Sequence, residues 1–498
     1  MSERPTLAEA FLRACAEHGH RPAVQDSTVW LTYSGLADRV RRTARTLEEL
    51  LAPECRRVAL HAANSVDHIV AYYALMVAGR LPFLVDAHFE ALELRQIVDD
   101  CGIDAFLTDR TTRFPLSARL QTVSGSRLGL ALPYDRPPAS AVPETHPSTA
   151  TCRFTSGTTG RAKCLEFSHD AVLNAARSWI AGTGLAADDR VLCLAAFNNG
   201  LAFNTSLLPV FLTGAHLHVY QGLPTSSGIK RAVARSRATR LVAFPLAYRL
   251  LAEAPEADRA AFATLTRAFS AAAVLDGRVK ARFEERYGVP VADYYGVAET
   301  GPCTYERDPR HSEGLGRALP GAELRVVRHT SGAPEVRVRT TSMATRYLNA
   351  PGLLEERIDA DGFYATGDAG RLEEGRLHIT ARIGGPLNVA GRKIDLTEIE
   401  HLVRGLADVT DAVCFADRDA RDETVVHLVL AGARPPSRPE ITRACRDRLA
   451  AYKVPGRISY LPSIPRSAAG KVRMTELCRL LSPAAADGSH FQDKDGQR

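Results

Sequence analysis

Apolar residues along this chain follow two patterns, and the two alternate. Some stretches repeat with helical spacing, and others are short apolar runs bounded by polar or glycine positions. That alternation predicts an α/β architecture. Val279, Phe283 and Tyr287 recur at i, i+4 and i+8, behind Asp276 as a cap and ahead of Gly288 as a stop. The stretch that follows, Val289 to Tyr295, reads as a buried strand. His169 and Asp170 precede AVLNAARSWI, whose apolar residues repeat with helical period. The most apolar stretch, Ile69 to Val85, is broken by Arg80 and Pro82. It therefore predicts a core helix and strand rather than a membrane span.

The character changes near residue 383, where Arg382-Ile383-Gly384-Gly385-Pro386 reads as a joint. Beyond it, Thr397 to Glu400 form a capping-box pattern that starts a helix. Strands are expected near Val413 to Phe415 and Val425 to Leu430, and a further helix from Pro439 to Leu449. These elements predict a small α+β domain of about a hundred residues. The expected division is 1–382, 383–481 and a tail, 482–498, with the polar, small-residue composition of disorder.

Length and composition narrow the class. A chain of 498 residues exceeds one compact core. Hydrophobic residues at 45% and charged residues at 24% are ordinary for a globular protein. The net charge of +6, from 63 basic and 57 acidic residues, suits an anionic small molecule and is too weak to argue for nucleic acid. Ten cysteines include no CxxC pair and no zinc-like cluster with histidine. The N-terminus MSERPTLAEAF lacks the apolar core of a signal peptide. Reduced thiols, a cytoplasmic location and no membrane partner are expected.

The sharpest chemical feature is Thr155-Ser156-Gly157-Thr158-Thr159-Gly160-Arg161-Ala162-Lys163. Glycines let backbone N–H groups approach an anion, hydroxyls add donors and the lysine adds charge, so a polyphosphate is the natural guest. The Walker A pattern is not matched. Strand-like flanks on both sides predict a loop joining two strands. The same composition also occurs in plain surface turns. Gly314-Leu315-Gly316 reads as a turn rather than a dinucleotide site, because no strand-to-helix context surrounds it.

Further stretches stand in order behind this loop. They are Tyr295-Gly296-Val297-Ala298-Glu299-Thr300, Tyr364-Ala365-Thr366-Gly367-Asp368, Arg382 with Leu387 to Ile394, and Pro465 to Arg473 containing Gly470-Lys471. Together with the loop they resemble the motifs of the adenylate-forming superfamily: acyl-CoA synthetases, adenylation domains of nonribosomal peptide synthetases, and luciferases. The resemblance spans residues 155 to 473. It implies a large multi-sheet α/β domain followed by a small mobile α+β domain.

The same resemblance implies ATP with Mg²⁺, and an acid activated as acyl-AMP with pyrophosphate released. The acyl group then passes to a thiol of CoA or of a phosphopantetheine arm. By analogy Thr155, Ser156, Gly157, Thr158, Thr159, Gly160 and Lys163 hold phosphates, and Glu299 holds the metal. Thr300 donates to the α-phosphate. Asp368 and Arg382 hold the ribose, Tyr295 stacks on adenine and Asp293 lies near its amino edge. Lys471 meets the charge that develops during transfer. Ala390, Gly391, Arg392 and Lys393 face the thiol arm. No carrier region follows residue 481, so any carrier protein is expected as a separate chain.

Three departures from the family pattern stand out, and the last bears on the acid. The usual Pro-Lys-Gly is Ala162-Lys163-Cys164, and a hinge position is Gly384. The segment Phe197-Asn198-Asn199-Gly200 replaces an aromatic-histidine pattern. No acidic residue lies between Arg190 and Gly214 to grip an α-ammonium, which disfavours amino acids. Phe197, Phe203, Phe244, Ala272, Ala273 and Val297 are expected to line a flat apolar pocket for an aryl or short acyl acid. Asn198 and Asn199 would add neutral hydrogen bonds or simply cap a turn. Two alternatives stay open: nitrite activation for an aryl amine, and a nucleotide-binding relative without turnover.

Overall fold

The computed structural model describes residues 5–155, 161–256, 258–272, 275–309, 314–328, 334–382, 387–389, 392–394, 396–419, 423–465, 472 and 474–481. The chain divides into a larger unit reaching Lys393 and a smaller one beginning at Ile394. The predicted joint at 383–386, Gly384 included, and the tail 482–498 lie outside the described residues.

The larger unit is built on a thirteen-stranded and an eight-stranded sheet. In the first, strands His216–Val219, Arg190–Cys193, Arg240–Ala243, Arg267–Ser270 and Val291–Val297 lie side by side and parallel. Leu192, Val242 and Phe269 are almost fully buried, as the interior of a parallel sheet requires. The helix Gly277–Tyr287 enters this sheet as its pattern predicts. Asp276 accepts from the Arg278 N–H, and Gly288 ends the helix at φ +76°. The helix His169–Thr183 starts two residues before its apolar repeat, capped by Ser168.

In the second sheet, strands Thr149–Thr155 and Lys163–Ser168 pair antiparallel, with Thr155 opposite Lys163. The loop therefore joins two strands, as expected. Val66–Val77 is a buried helix and Leu81–Leu84 a buried strand, matching the reading of the apolar stretch. Among the described residues no helix is long and apolar enough to cross a membrane. The ten cysteines are free thiols, nine of them buried.

The smaller unit holds a three-stranded sheet of Asp411–Arg418, Thr424–Ala431 and Arg457–Leu461. Helices Leu396–Arg404, Arg438–Arg446 and Met474–Leu481 accompany it. The first of these begins at Leu396, so Thr397 lies inside the helix and is not its cap. Lys453 and Glu398 form a buried ion pair at 2.9 Å. Val472 packs against the apolar cluster that contains Val413, Val429 and Leu477.

Candidate active site

Open parallel sheets bind ligands beyond the carboxyl ends of their strands. Here four neighbouring parallel strands end in residues singled out from sequence. Phe197 and Asn198 follow Cys193, Phe244 follows Ala243, Ala272 follows Ser270, and Tyr295 and Val297 close Val291–Val297. Ala272 has φ +70°, a left-handed conformation that costs a non-glycine residue roughly 1–2 kcal/mol. Ala273 lies outside the described residues.

Strand Val291–Val297 turns back into Gly301–Tyr305 through Ala298, Glu299 and Thr300. The hairpin is so tight that a Cβ at Gly296 would collide with the Gly301 carbonyl oxygen, and Gly301 itself sits at φ +73°. The turn buries Glu299, whose carboxylate accepts a 2.5 Å hydrogen bond from the Tyr347 hydroxyl. Burial and the Glu299 charge push the phenols of Tyr347 and Tyr364 well above their ordinary range, so both remain donors. Thr300 is fully buried. Its hydroxyl meets the Cys303 thiol at 3.0 Å, and its carbonyl accepts from Thr340 and Ser342.

Tyr295 and Asp368 meet directly: the phenol donates to the Asp368 carboxylate at 2.6 Å. Asp368 lies on strand Tyr364–Glu373, one residue after Gly367, opposite the Arg382 backbone. Asp293 is ion-paired with Lys280. Burial outweighs that cation and raises the Asp293 pKa. Tyr295, Glu299 and Asp368 thus converge at one end of the larger unit's main sheet.

At the phosphate loop, Ser156, Gly157, Thr158, Thr159 and Gly160 lie outside the described residues, as do Lys471, Ala390 and Gly391. The loop's exit is described. Asn349 donates to the Ala162 carbonyl at 2.9 Å and accepts from the Cys164 N–H at 2.8 Å. Cys164 fills a core position in one cluster with Cys101 and Cys152. Arg392 lies 3.9 Å from Asp86; burial favours a neutral Asp86, but His88 and Arg392 hold its carboxyl down to about 2.

The acid-side residues divide. Phe197 is fully buried, with its N–H bonded to Asn64 and its ring 5.5 Å from His68. Its ring belongs to the core. Asn199 caps the turn Gly200–Ala202 by accepting from the Leu201 N–H. Asn198, Phe244 and Tyr295 are only partly covered. Phe203 packs its ring against the guanidinium of Arg153, 4.3 Å away, and Phe167 covers the same group at 4.6 Å.

Arg153, Asn204, Tyr294, Tyr347 and Asn349 did not emerge from the motifs. Arg153 carried a signal: it is the one charge in the otherwise apolar or hydroxylated strand TATCRFT. The others are polar residues within apolar surroundings, and nothing local distinguishes them.

Comparison with known proteins agrees with this geometry. Residues 11–348 match the AMP-binding enzyme family model, and residues 398–471 match the AMP-binding enzyme C-terminal domain. The chain belongs to this family and is a member of the adenylate-forming superfamily. It is 26% identical to a 3-[(3aS,4S,7aS)-7a-methyl-1,5-dioxo-octahydro-1H-inden-4-yl]propanoyl:CoA ligase of Rhodococcus jostii, covering 95% of this chain and 98% of that protein. It is also 26% identical to a 4-chlorobenzoate–CoA ligase of an Arthrobacter species, covering 95% and 92%. The fold matches that of the amide bond synthetase McbA from Marinactinospora thermotolerans, with a TM-score of 0.81 at 23% identity, covering 94% of this chain and 98% of that one.

Proposed function

We propose that this protein is an AMP-forming acid–thiol ligase. It joins a carboxylate, aryl or short acyl, to the α-phosphorus of ATP and releases pyrophosphate. The acyl group then passes to the thiol of CoA or of a carrier protein. The observation that carries the reading is the convergence of Tyr295, Asp368 and Glu299 at the carboxyl end of the parallel strands, in a chain that matches both AMP-binding models, over residues 11–348 and 398–471. Curated relatives named as CoA ligases of organic acids support the thiol acceptor.

Each residue has a physical task. Joining two anions requires that their repulsion be offset by fixed donors and cations. Thr155 and Lys163, with the loop between them, hold the outer phosphates. Asp368, buried and oriented by the Tyr295 phenol, accepts from the ribose hydroxyls, and Arg382 supports the same sugar. Glu299 fits a divalent cation: its buried carboxylate is a hard oxygen donor, oriented by Tyr347 and unable to leave the turn. With phosphate oxygens it would hold Mg²⁺, which would supply charge neutralisation. Lys471 meets the charge that grows in the transition state.

The test is acid-dependent release of pyrophosphate from ATP over a broad acid panel, with and without CoA. AMP and pyrophosphate in equal amounts, with CoA consumed, are expected. ADP with phosphate, or no nucleotide turnover with any acid, refutes the reading. Nitrite-dependent AMP formation with an aryl amine would replace it.

A further inference from the structure

Arg153 is 3% exposed, yet among the described residues no carboxylate forms an ion pair with it; the Glu299 carboxylate attracts it only from farther away. Among the described residues its one hydrogen bond is a 3.3 Å contact from Nη2 to the Ala298 carbonyl, and its buried Nε finds no partner there. The rings of Phe167 and Phe203 cover the guanidinium. Burial lowers its pKa to about 10, so it stays charged at neutral pH. A cation held this way, with an unused donor, is organised for an anion that comes and goes.

Its surroundings are those of the acid side. Ala298 immediately precedes Glu299. Gly200, from the Asn-Asn-Gly segment, lies against this group: a Cβ there would stand 3.4 Å from Arg153 Nη1 and 3.8 Å from Asn204 Nδ2, in ordinary contact with both. Asn204 donates to the Tyr294 hydroxyl at 3.3 Å, which leaves the phenol proton to be given elsewhere. Arg153, Asn204 and Tyr294 therefore form a buried group of donors behind the carboxyl ends of the strands.

We propose that Arg153 determines substrate specificity by receiving a second anionic group on the acid, so that the substrate is a dicarboxylate rather than a simple monoacid. One carboxylate is activated, and the other meets the guanidinium. The inference rests on the acid-ligase reading and narrows its substrate class.

The experiment compares matched probes on the full-length protein: benzoate against the three phthalate isomers, and butyrate against succinate. At least one diacid should exceed its monoacid in kcat/KM by about tenfold or more, the scale of a charge-assisted hydrogen bond. In Arg153→Met that preference should disappear through loss of diacid turnover, with monoacid turnover and the KM for ATP changed less than about threefold. Arg153→Lys keeps the charge without the planar fork, and an intermediate preference is expected of it; it also serves if the Met variant does not fold. Monoacids preferred by the wild type, or an equal loss for mono- and diacids in the variants, overturns the inference while the ligase reading stands. No AMP from any acid fails the ligase reading itself.

Discussion

Two buried arginines on the larger unit show how differently one side chain can be treated. Arg240 begins its strand at the amino ends of the parallel set. It donates to Asp189 at 2.7 Å and reaches the carbonyls of Thr183 and Gly184. Its charge is matched, and its donors close one end of the sheet. Arg153 is as deeply buried, but among the described residues it has aromatic faces, one long bond to a carbonyl and no ion pair, with Glu299 attracting it from farther away. A matched buried cation belongs to the architecture. An unmatched one, held by rings worth about 2 kcal/mol when desolvated, is kept ready for a ligand. The same contrast separates the two ends of the sheet, the amino end closed by internal pairs and the carboxyl end carrying Tyr295, Glu299 and Asp368.

Acid should break the architecture first. Burial lowers the pKa of His61, His68 and His216 from 6.5 to about 4, and that of His218 to about 3. These rings are neutral in the fold and take protons in the unfolded chain. Their contribution is present above pH 6.5 and is lost as pH falls from there toward 4. Denaturant titrations at stepped pH should show a steep loss of stability in that window; a flat profile would contradict the buried neutral rings.

Next in size is Arg240→Met, which leaves Asp189 without its cation. It should lower stability by about 3–5 kcal/mol without altering acid preference. Arg153→Met, by contrast, should stay within about 1 kcal/mol of the wild type, because no carboxylate is stranded. Equal losses in the two variants would erase the distinction drawn between them. Asp368→Ala should weaken ATP binding by about 1.5–3 kcal/mol, read by calorimetry, while the fold holds. The smallest effect is expected of Tyr295→Phe, about 1 kcal/mol in ATP affinity through loss of the hydrogen bond to Asp368.

Much of this was legible in the sequence. The alternation of patterns gave the α/β class, and Asp276 and Gly288 marked both ends of their helix. The strand-like flanks of the phosphate loop placed it in a hairpin. What local pattern could not show was the use of each polar side chain. Asn199 looks like a ligand for a substrate, but a short turn takes its oxygen. Phe197 looks like a pocket wall, but its ring packs into the core beside His68. Thr397 looks like a cap, yet the helix starts one residue earlier. Arg153 was visible as a charge in a buried strand, but that no ion pair meets it among the described residues appears only when Phe167, Phe203 and Ala298 are brought around it by the fold.

The most direct measurement follows the oxygen. If the acid's own carboxylate attacks the α-phosphorus, an acid labelled with heavy oxygen in its carboxyl group must leave one labelled oxygen in the AMP released after thiol transfer. Mass spectrometry of that AMP should show the label. Unlabelled AMP, or label recovered in inorganic phosphate, would contradict adenylate formation.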